Sequence, residues 1–221
     1  MSRERDQENF AVTGIYGLTA ETMSRGRSNY EVVAAMLAGG VKFLQYREKA
    51  KTAREMYDEC LELRRLTQNA GATFLIDDFV DLALAVDADG VHIGQTDLPA
   101  AIVRQLLGPD KTIGLSTHGP ADLLAANELA NVIDYVGVGP VFATQTKKNA
   151  AAVGLEYVRY AAGNSRLPYV AIGGIKEHNI GAVAEAGAGT IAVVSGVVGA
   201  ADIAAAIGRL NALMQPAELT D

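Results

Sequence analysis

Gln45, Arg47 and Lys49 alternate with Tyr46 and Glu48 at the end of the apolar run Val41–Tyr46. Alternate side chains of an extended segment share one side, so an amide, a guanidinium and an ammonium converge there. A guanidinium grips phosphate oxygens as a bidentate fork, and an ammonium adds a point charge. The other reading is a solvated charged loop. A second anion-friendly stretch lies near mid-chain. Tyr135–Val138 reads as a buried strand that breaks at Gly139-Pro140 into a loop carrying Thr144, Gln145, Thr146, Lys147 and Lys148, with no carboxylate. Its donors and positive charge suit a phosphate or diphosphate. Downstream, the runs Tyr169–Ile172 and Thr190–Val194 end in Gly173-Gly174 and in Val194-Ser195-Gly196. Glycine and serine let a backbone come close to a phosphate.

Carboxylates stand beside these cradles. Thr73–Ile76 ends in Asp77-Asp78, and Gly90–Ile93 is followed by Gln95, Thr96 and Asp97. Two carboxylates near a diphosphate suit a hard cation. Mg²⁺ commonly takes one or two carboxylates together with substrate oxygens and water. Helix capping is the competing reading, since either aspartate of the pair could open the next helix and Asp97 precedes Pro99. Ser116, after Thr112–Leu115, can donate to the same anion. His118 has the chemistry for acid–base work, but the turn-forming Gly119-Pro120 follows it. His92 falls inside a strand and reads as a buried, hydrogen-bonded histidine; His178 and Asn179 read as a cap region. Cys60 lies mid-helix with no histidine near in sequence and reads as packing.

The elements that must position these groups follow from periodicity. Eight short β runs begin at Ile15, Val41, Thr73, Gly90, Thr112, Tyr135, Tyr169 and Thr190. They alternate with segments whose apolar residues recur at three- and four-residue spacing, such as Val32, Val33, Met36 and Leu37. Thr52 and Glu55 have capping-box spacing ahead of Met56–Leu66, and Val80–Val86 reads as an abbreviated helix. Strand and helix alternating eight times predict a single closed (β/α)8 TIM barrel with its site at the C-terminal strand ends. A dinucleotide fold would need its glycine-rich turn after the first strand, and Gly17-Leu18-Thr19 is not that fingerprint. The domain spans residues 10–215, with a frayed tail at 1–9 and a second tail at 216–221.

Composition narrows the class. Among 221 residues, 49% are hydrophobic, enough for a sizeable core, and the net charge of −7 argues against a nucleic-acid surface. A single cysteine excludes an internal disulfide framework. No apolar run is long enough to span a bilayer, and the simplest location is cytoplasmic. The alanine-rich exterior of the last helix serves either a homodimer or small-residue packing. A phosphate site after strands seven and eight is a common barrel device; a second cradle opposite it suggests two phosphorylated substrates meeting across the mouth.

The chain resembles the thiamine phosphate synthase family from about residue 14 to 210. The resemblance rests on Gln45-Tyr46-Arg47-Glu48-Lys49, Asp78 with Val80-Asp81-Leu82-Ala83, Gly90-Val91-His92-Ile93-Gly94-Gln95, Asp97-Leu98-Pro99, Ser116-Thr117-His118, Gly137–Pro140 with Thr144, Thr146 and Lys147, and Gly173-Gly174-Ile175. It implies coupling of hydroxymethylpyrimidine diphosphate with a thiazole phosphate, often the 2-carboxy form, to give thiamine phosphate and diphosphate by a dissociative substitution. By the same resemblance, Gln45, Tyr46, Arg47, Glu48, Lys49, Asp77, Ser116 and Lys147 bind the pyrimidine diphosphate, and Asp78 and Asp97 hold Mg²⁺. Thr144, Gln145, Thr146, Gly174, Val194 and Ser195 bind the thiazole phosphate. Arg47, Lys49, Lys147 and Ser116 carry the catalytic role. The chain departs from the family's pattern at Asp77 (usually Asn), at Phe79 and at Ala152. A thiazole tautomerase on the same barrel and a non-catalytic phosphate-ligand sensor are the competing functions; neither needs the diphosphate cradle with its carboxylates.

Overall fold

The computed structural model describes residues 2–144 and 151–215. Eight parallel strands close into one barrel in chain order: β1 (Ile15–Leu18), β2 (Phe43–Tyr46), β3 (Thr73–Asp77), β4 (Gly90–Ile93), β5 (Thr112–Thr117), β6 (Tyr135–Val138), β7 (Tyr169–Ile172) and β8 (Thr190–Ala192). Closure is made by β8 on β1, with Ile15 opposite Ile191. Around the sheet lie α2 (Asn29–Ala38), α3 (Ala53–Asn69), α4 (Val80–Ala85), α5 (Ala100–Leu107), α6 (Pro120–Asn127), α7 (Gly154–Asn164), α8 (Ile180–Glu185) and α10 (Ile203–Met214). The described residues also form α1 (Ser2–Val12) before the barrel, a 3-10 turn at Glu21–Met23 after β1, and the single turn α9 (Ser195–Val198) after β8. The (β/α)8 barrel read from the alternation is the fold.

Local chemistry explains the boundaries. Thr52 and Glu55 make the capping box of α3 in full, and Ser28 with Glu31 makes a second one on α2. Ladder pairing of β2 begins at Phe43 rather than Val41. The Val41 amide turns back to the Met36 carbonyl, and the Lys42 amide bonds the Thr13 hydroxyl. At the other end of the fold β8 stops at Ala192, because Val194 already caps α9.

Residues 2–12 correct the expectation of a frayed tail. They form α1, which lies across the N-terminal ends of the strands. Asp6 accepts hydrogen bonds from Thr73 at the start of β3 (2.8 Å) and from Thr112 at the start of β5 (2.9 Å). Arg5 pairs with Asp89 (2.6 Å), Arg3 with Asp134, and the Phe10 carbonyl accepts from Thr190 of β8. Polar side chains mask this anchoring in the sequence, since only Phe10 and Asp6 are buried.

The outward faces of the strands and the inner faces of the helices form the large core. Inside the barrel, Phe10, Phe43, Tyr16 and Tyr135 pack with Leu18, Leu75, Val170 and Ala192. Phe10 meets Phe43 edge-on at 5.2 Å between ring centroids, a favourable aromatic geometry. These rings and aliphatic side chains fill the barrel interior, and the Tyr16 and Tyr135 hydroxyls bond each other within it.

Candidate active site

A cavity of about 840 Å³ opens at the C-terminal ends of the strands, where this architecture places its chemistry. One wall holds Gln45, Arg47 and Lys49 from the end of β2, Asp77 and Asp78 from β3, and Asp97 after β4. Ser116 of β5 lies beside them. The facing wall holds Thr144 after β6, Gly173 and Gly174 after β7, and Val194 and Ser195 after β8. Every described residue assigned above to a ligand therefore borders this one space, apart from Tyr46 and Glu48. Gln145, Thr146 and Lys147 fall outside the described residues.

Tyr46 and Glu48 turn the other way, as the alternation requires. The Tyr46 hydroxyl donates to Glu59 of α3 (2.6 Å), and Glu48 accepts from the Glu21 amide (3.0 Å) and from the Asn29 side chain (2.8 Å). Both are buried outside the barrel. Their side chains support the β2–α3 loop, which carries the cations, and do not line the cavity.

Asp77 sits between those cations. Its carboxylate is 2.8 Å from the Lys49 ammonium and 3.4 Å from the Arg47 guanidinium. Lys49 also pairs with Asp78. Partial burial pulls the Lys49 ammonium down, but hydrogen bonds and charge pairing with Asp77 and Asp78 outweigh it, leaving its pKa above the ordinary lysine value. The Phe79 ring lies 5.9 Å from the same ammonium, within cation–π range. Thr19 fixes the loop by accepting the Arg47 amide at 2.8 Å.

Neither aspartate caps a helix. The N-cap of α4 is Phe79 and that of α5 is Pro99, both without a side-chain capping bond. Asp97 instead accepts from the Gly94 amide at 2.7 Å, and Asp78 adopts a left-handed backbone with φ of +62°. A non-glycine residue in that region costs on the order of 1–3 kcal/mol and clusters at functional positions. Among the described residues no three or more His, Cys, Asp or Glu side chains gather as a metal cluster. The donor set of two carboxylates beside a phosphate cradle fits a cation that completes its shell with ligand oxygens and water; it does not fit an all-protein cage.

The remaining candidates are settled by their contacts. His118 bonds the Gly139 carbonyl (2.6 Å) while its amide bonds Asp122 (2.8 Å), a role in joining β5 to β6. Asn179 accepts the Lys176 amide, closing the turn before α8. Cys60 is fully buried and burial pushes its thiol up, so it packs rather than reacts. Sequence reasoning missed Tyr16 and Tyr135, which join Gln45 and His92 at the base of the cavity, and Arg27, whose guanidinium binds the Val198 and Ala200 carbonyls at 2.7 Å each and braces the segment after α9.

Comparison with known proteins places this arrangement. The family model described as "Thiamine monophosphate synthase" matches residues 15–197. A thiamine-phosphate synthase of Pelotomaculum thermopropionicum is 53% identical over 99% of this chain and 100% of its own length. One from Caldicellulosiruptor bescii is 50% identical over 99% of both. The solved thiamine phosphate pyrophosphorylase from Pyrococcus furiosus superposes with a TM-score of 0.83 at 36% identity, covering 96% of this chain and 97% of that one. A 3-hexulose-6-phosphate synthase at 18% identity and a TM-score of 0.62 shares the fold alone. With a matching model over most of the barrel and relatives of about half identity over its whole length, the chain belongs to the thiamine monophosphate synthase family of transferases.

Proposed function

We propose that this protein joins 4-amino-5-hydroxymethyl-2-methylpyrimidine diphosphate to a thiazole phosphate, or to its 2-carboxy form, giving thiamine phosphate and diphosphate. The observation that carries the reading is one cavity with two unlike walls. Arg47 and Lys49 with Asp78 and Asp97 stand on one side, and the Gly174 and Ser195 strand ends on the other. The first suits a diphosphate, the second a monophosphate.

The C–O bond to diphosphate breaks first and its electron pair leaves with the phosphate oxygens. The electron-rich aminopyrimidine carries the methylene cation, and the thiazole nitrogen adds its lone pair to that carbon. From the carboxylated thiazole, carbon dioxide also departs, leaving its bonding pair on the ring carbon, which takes up a proton from water. No covalent nucleophile is required, in keeping with the buried Cys60. Arg47 and Lys49 offset the charge growing on the leaving group, and each such preorganised contact lowers the barrier by on the order of 3 kcal/mol. Lys147, with Gln145 and Thr146, belongs to this proposal through the family resemblance. Holding both reactants in one cup replaces a bimolecular encounter. Asp78 and Asp97 would hold Mg²⁺, which when bound supplies positive charge to the diphosphate.

The test is a turnover assay with each substrate alone and with both, with and without Mg²⁺. Thiamine phosphate and diphosphate should form only when both substrates and the cation are present, and EDTA should stop the reaction. Tautomerisation of the carboxythiazole without coupling would replace this reading by an isomerase, and binding without turnover by a sensor.

A further inference from the structure

At the base of the cavity a single chain of hydrogen bonds crosses the barrel interior. The Gln45 side-chain amide donates to the Tyr16 hydroxyl (3.1 Å), which lies 2.9 Å from the Tyr135 hydroxyl. That hydroxyl is 2.9 Å from His92 Nδ1, and His92 Nε2 is 2.9 Å from Ser116 Oγ. Four strands contribute besides β1; Gln45, Tyr16, His92 and Ser116 border the cavity, and Tyr135 lies behind them. Two glycines make room for it. A Cβ on Gly114 would come within 2.5 Å of His92 Nδ1 and 2.2 Å of the Tyr135 ring, and one on Gly137 within 3.3 Å of His92 Cε1. The space is shaped for an imidazole between a phenol and a serine.

Counting protons gives the chain a direction. Tyr16 and Tyr135 are each only 2% exposed, and burial pushes both phenols up, so each keeps its one proton. Tyr16 already receives the Gln45 N–H; its own proton is satisfied by Tyr135. Tyr135 then has its proton for His92 Nδ1. A neutral imidazole accepting at Nδ1 carries its proton on Nε2 and donates it to Ser116 Oγ. With that lone pair engaged, the serine proton is left to point into the cavity.

We propose that His92, oriented by Tyr135, is a positioning residue that makes Ser116 a hydrogen-bond donor to the pyrimidine diphosphate. This rests on the coupling reaction proposed above. The effect should fall on that ligand and not on the thiazole phosphate, which faces the other wall.

Two measurements test it. The wild-type protein has three histidines, so two-bond ¹H–¹⁵N correlation spectra of histidine-labelled protein resolve the tautomer of His92 with no substitution at all; Nε2–H is expected. Kinetics then form a cycle of Tyr135→Phe, Ser116→Ala and the double variant. Tyr135→Phe should lower kcat/KM for the pyrimidine diphosphate about five- to tenfold, leave the thiazole phosphate KM unchanged, and add no further loss in the Ser116→Ala background. An Nδ1–H tautomer, or losses that multiply in the double variant, overturns the proposal. A wild-type protein that performs no coupling would instead overturn the reaction, while the spectrum would still report the direction of the chain.

Discussion

At the scale of single residues, Asp77 has two opposed effects. Its carboxylate pairs with the Arg47 and Lys49 side chains at the cavity wall, and in the proposed reaction it would compete with the diphosphate for those same cations. An asparagine keeps the size and loses the charge. Asp77→Asn should therefore lower the KM for the pyrimidine diphosphate about fivefold, the scale of a partly exposed ion pair, in initial-rate measurements at fixed thiazole phosphate. A raised KM would mean that orientation of the cations outweighs competition. The sequence made the alternation of Gln45, Arg47 and Lys49 legible because a strand's side-chain period is two, yet the same period turns Tyr46 and Glu48 to the helix layer. Within the five-residue motif, parity therefore gives the cavity the side chains of Gln45, Arg47 and Lys49. His92 was legible as hydrogen-bonded, but its partners Tyr135 and Ser116 lie 43 and 24 residues away, a separation that only barrel closure brings together. Gly114 and Gly137 were the available signal, since glycine inside a strand often marks a close approach.

At the scale of elements, the eight strands were visible because short apolar runs bounded by glycine or aspartate recur between helical periods, and α4 was found as short as it is. The first helix was not visible. Its mean hydropathy is low, and its stability comes from Asp6, Arg5 and Phe10 meeting strand ends far along the chain, so local propensity carried no signal. Asp6 gives this helix a pH signature. Burial, and after it repulsion from Asp89, raises its carboxyl above the ordinary value, against the lowering hydrogen bonds of Thr73, Arg5 and Thr112. Asp6 thus holds its proton more tightly in the folded state than in the unfolded chain. That contribution is complete below the unfolded pKa and is lost as pH rises through the raised one. Urea unfolding of wild type and Asp6→Asn should show the variant gaining stability relative to wild type between about pH 4 and pH 7. A gap constant across that range would assign the titration to another group.

At the scale of the molecule, the two walls of the cavity belong to different parts of the barrel. The cations come from the β2 end, and the glycine and serine turns from β7 and β8. The Arg47 and Lys49 ion pairs run to Asp77 and Asp78 and not to those turns, and contacts without shared partners behave independently. Arg47→Ala should then lower turnover about a hundredfold, while calorimetry finds thiazole phosphate bound as in wild type; a matching loss of thiazole affinity would show that the walls are not separate. Against a net charge of −7 the cations Arg47 and Lys49 are legible in the sequence as an exception, although in the fold Asp77 and Asp78 pair with them. The crossing of the barrel by α1 has a practical side as well. Its outward residues, such as the exposed Glu8, look away from the mouth, and the chain's one cysteine is buried. A thiol introduced at Glu8 would thus be the sole exposed thiol on the described surface, and a protein tethered to a support through it would present every copy with its entrance toward the liquid.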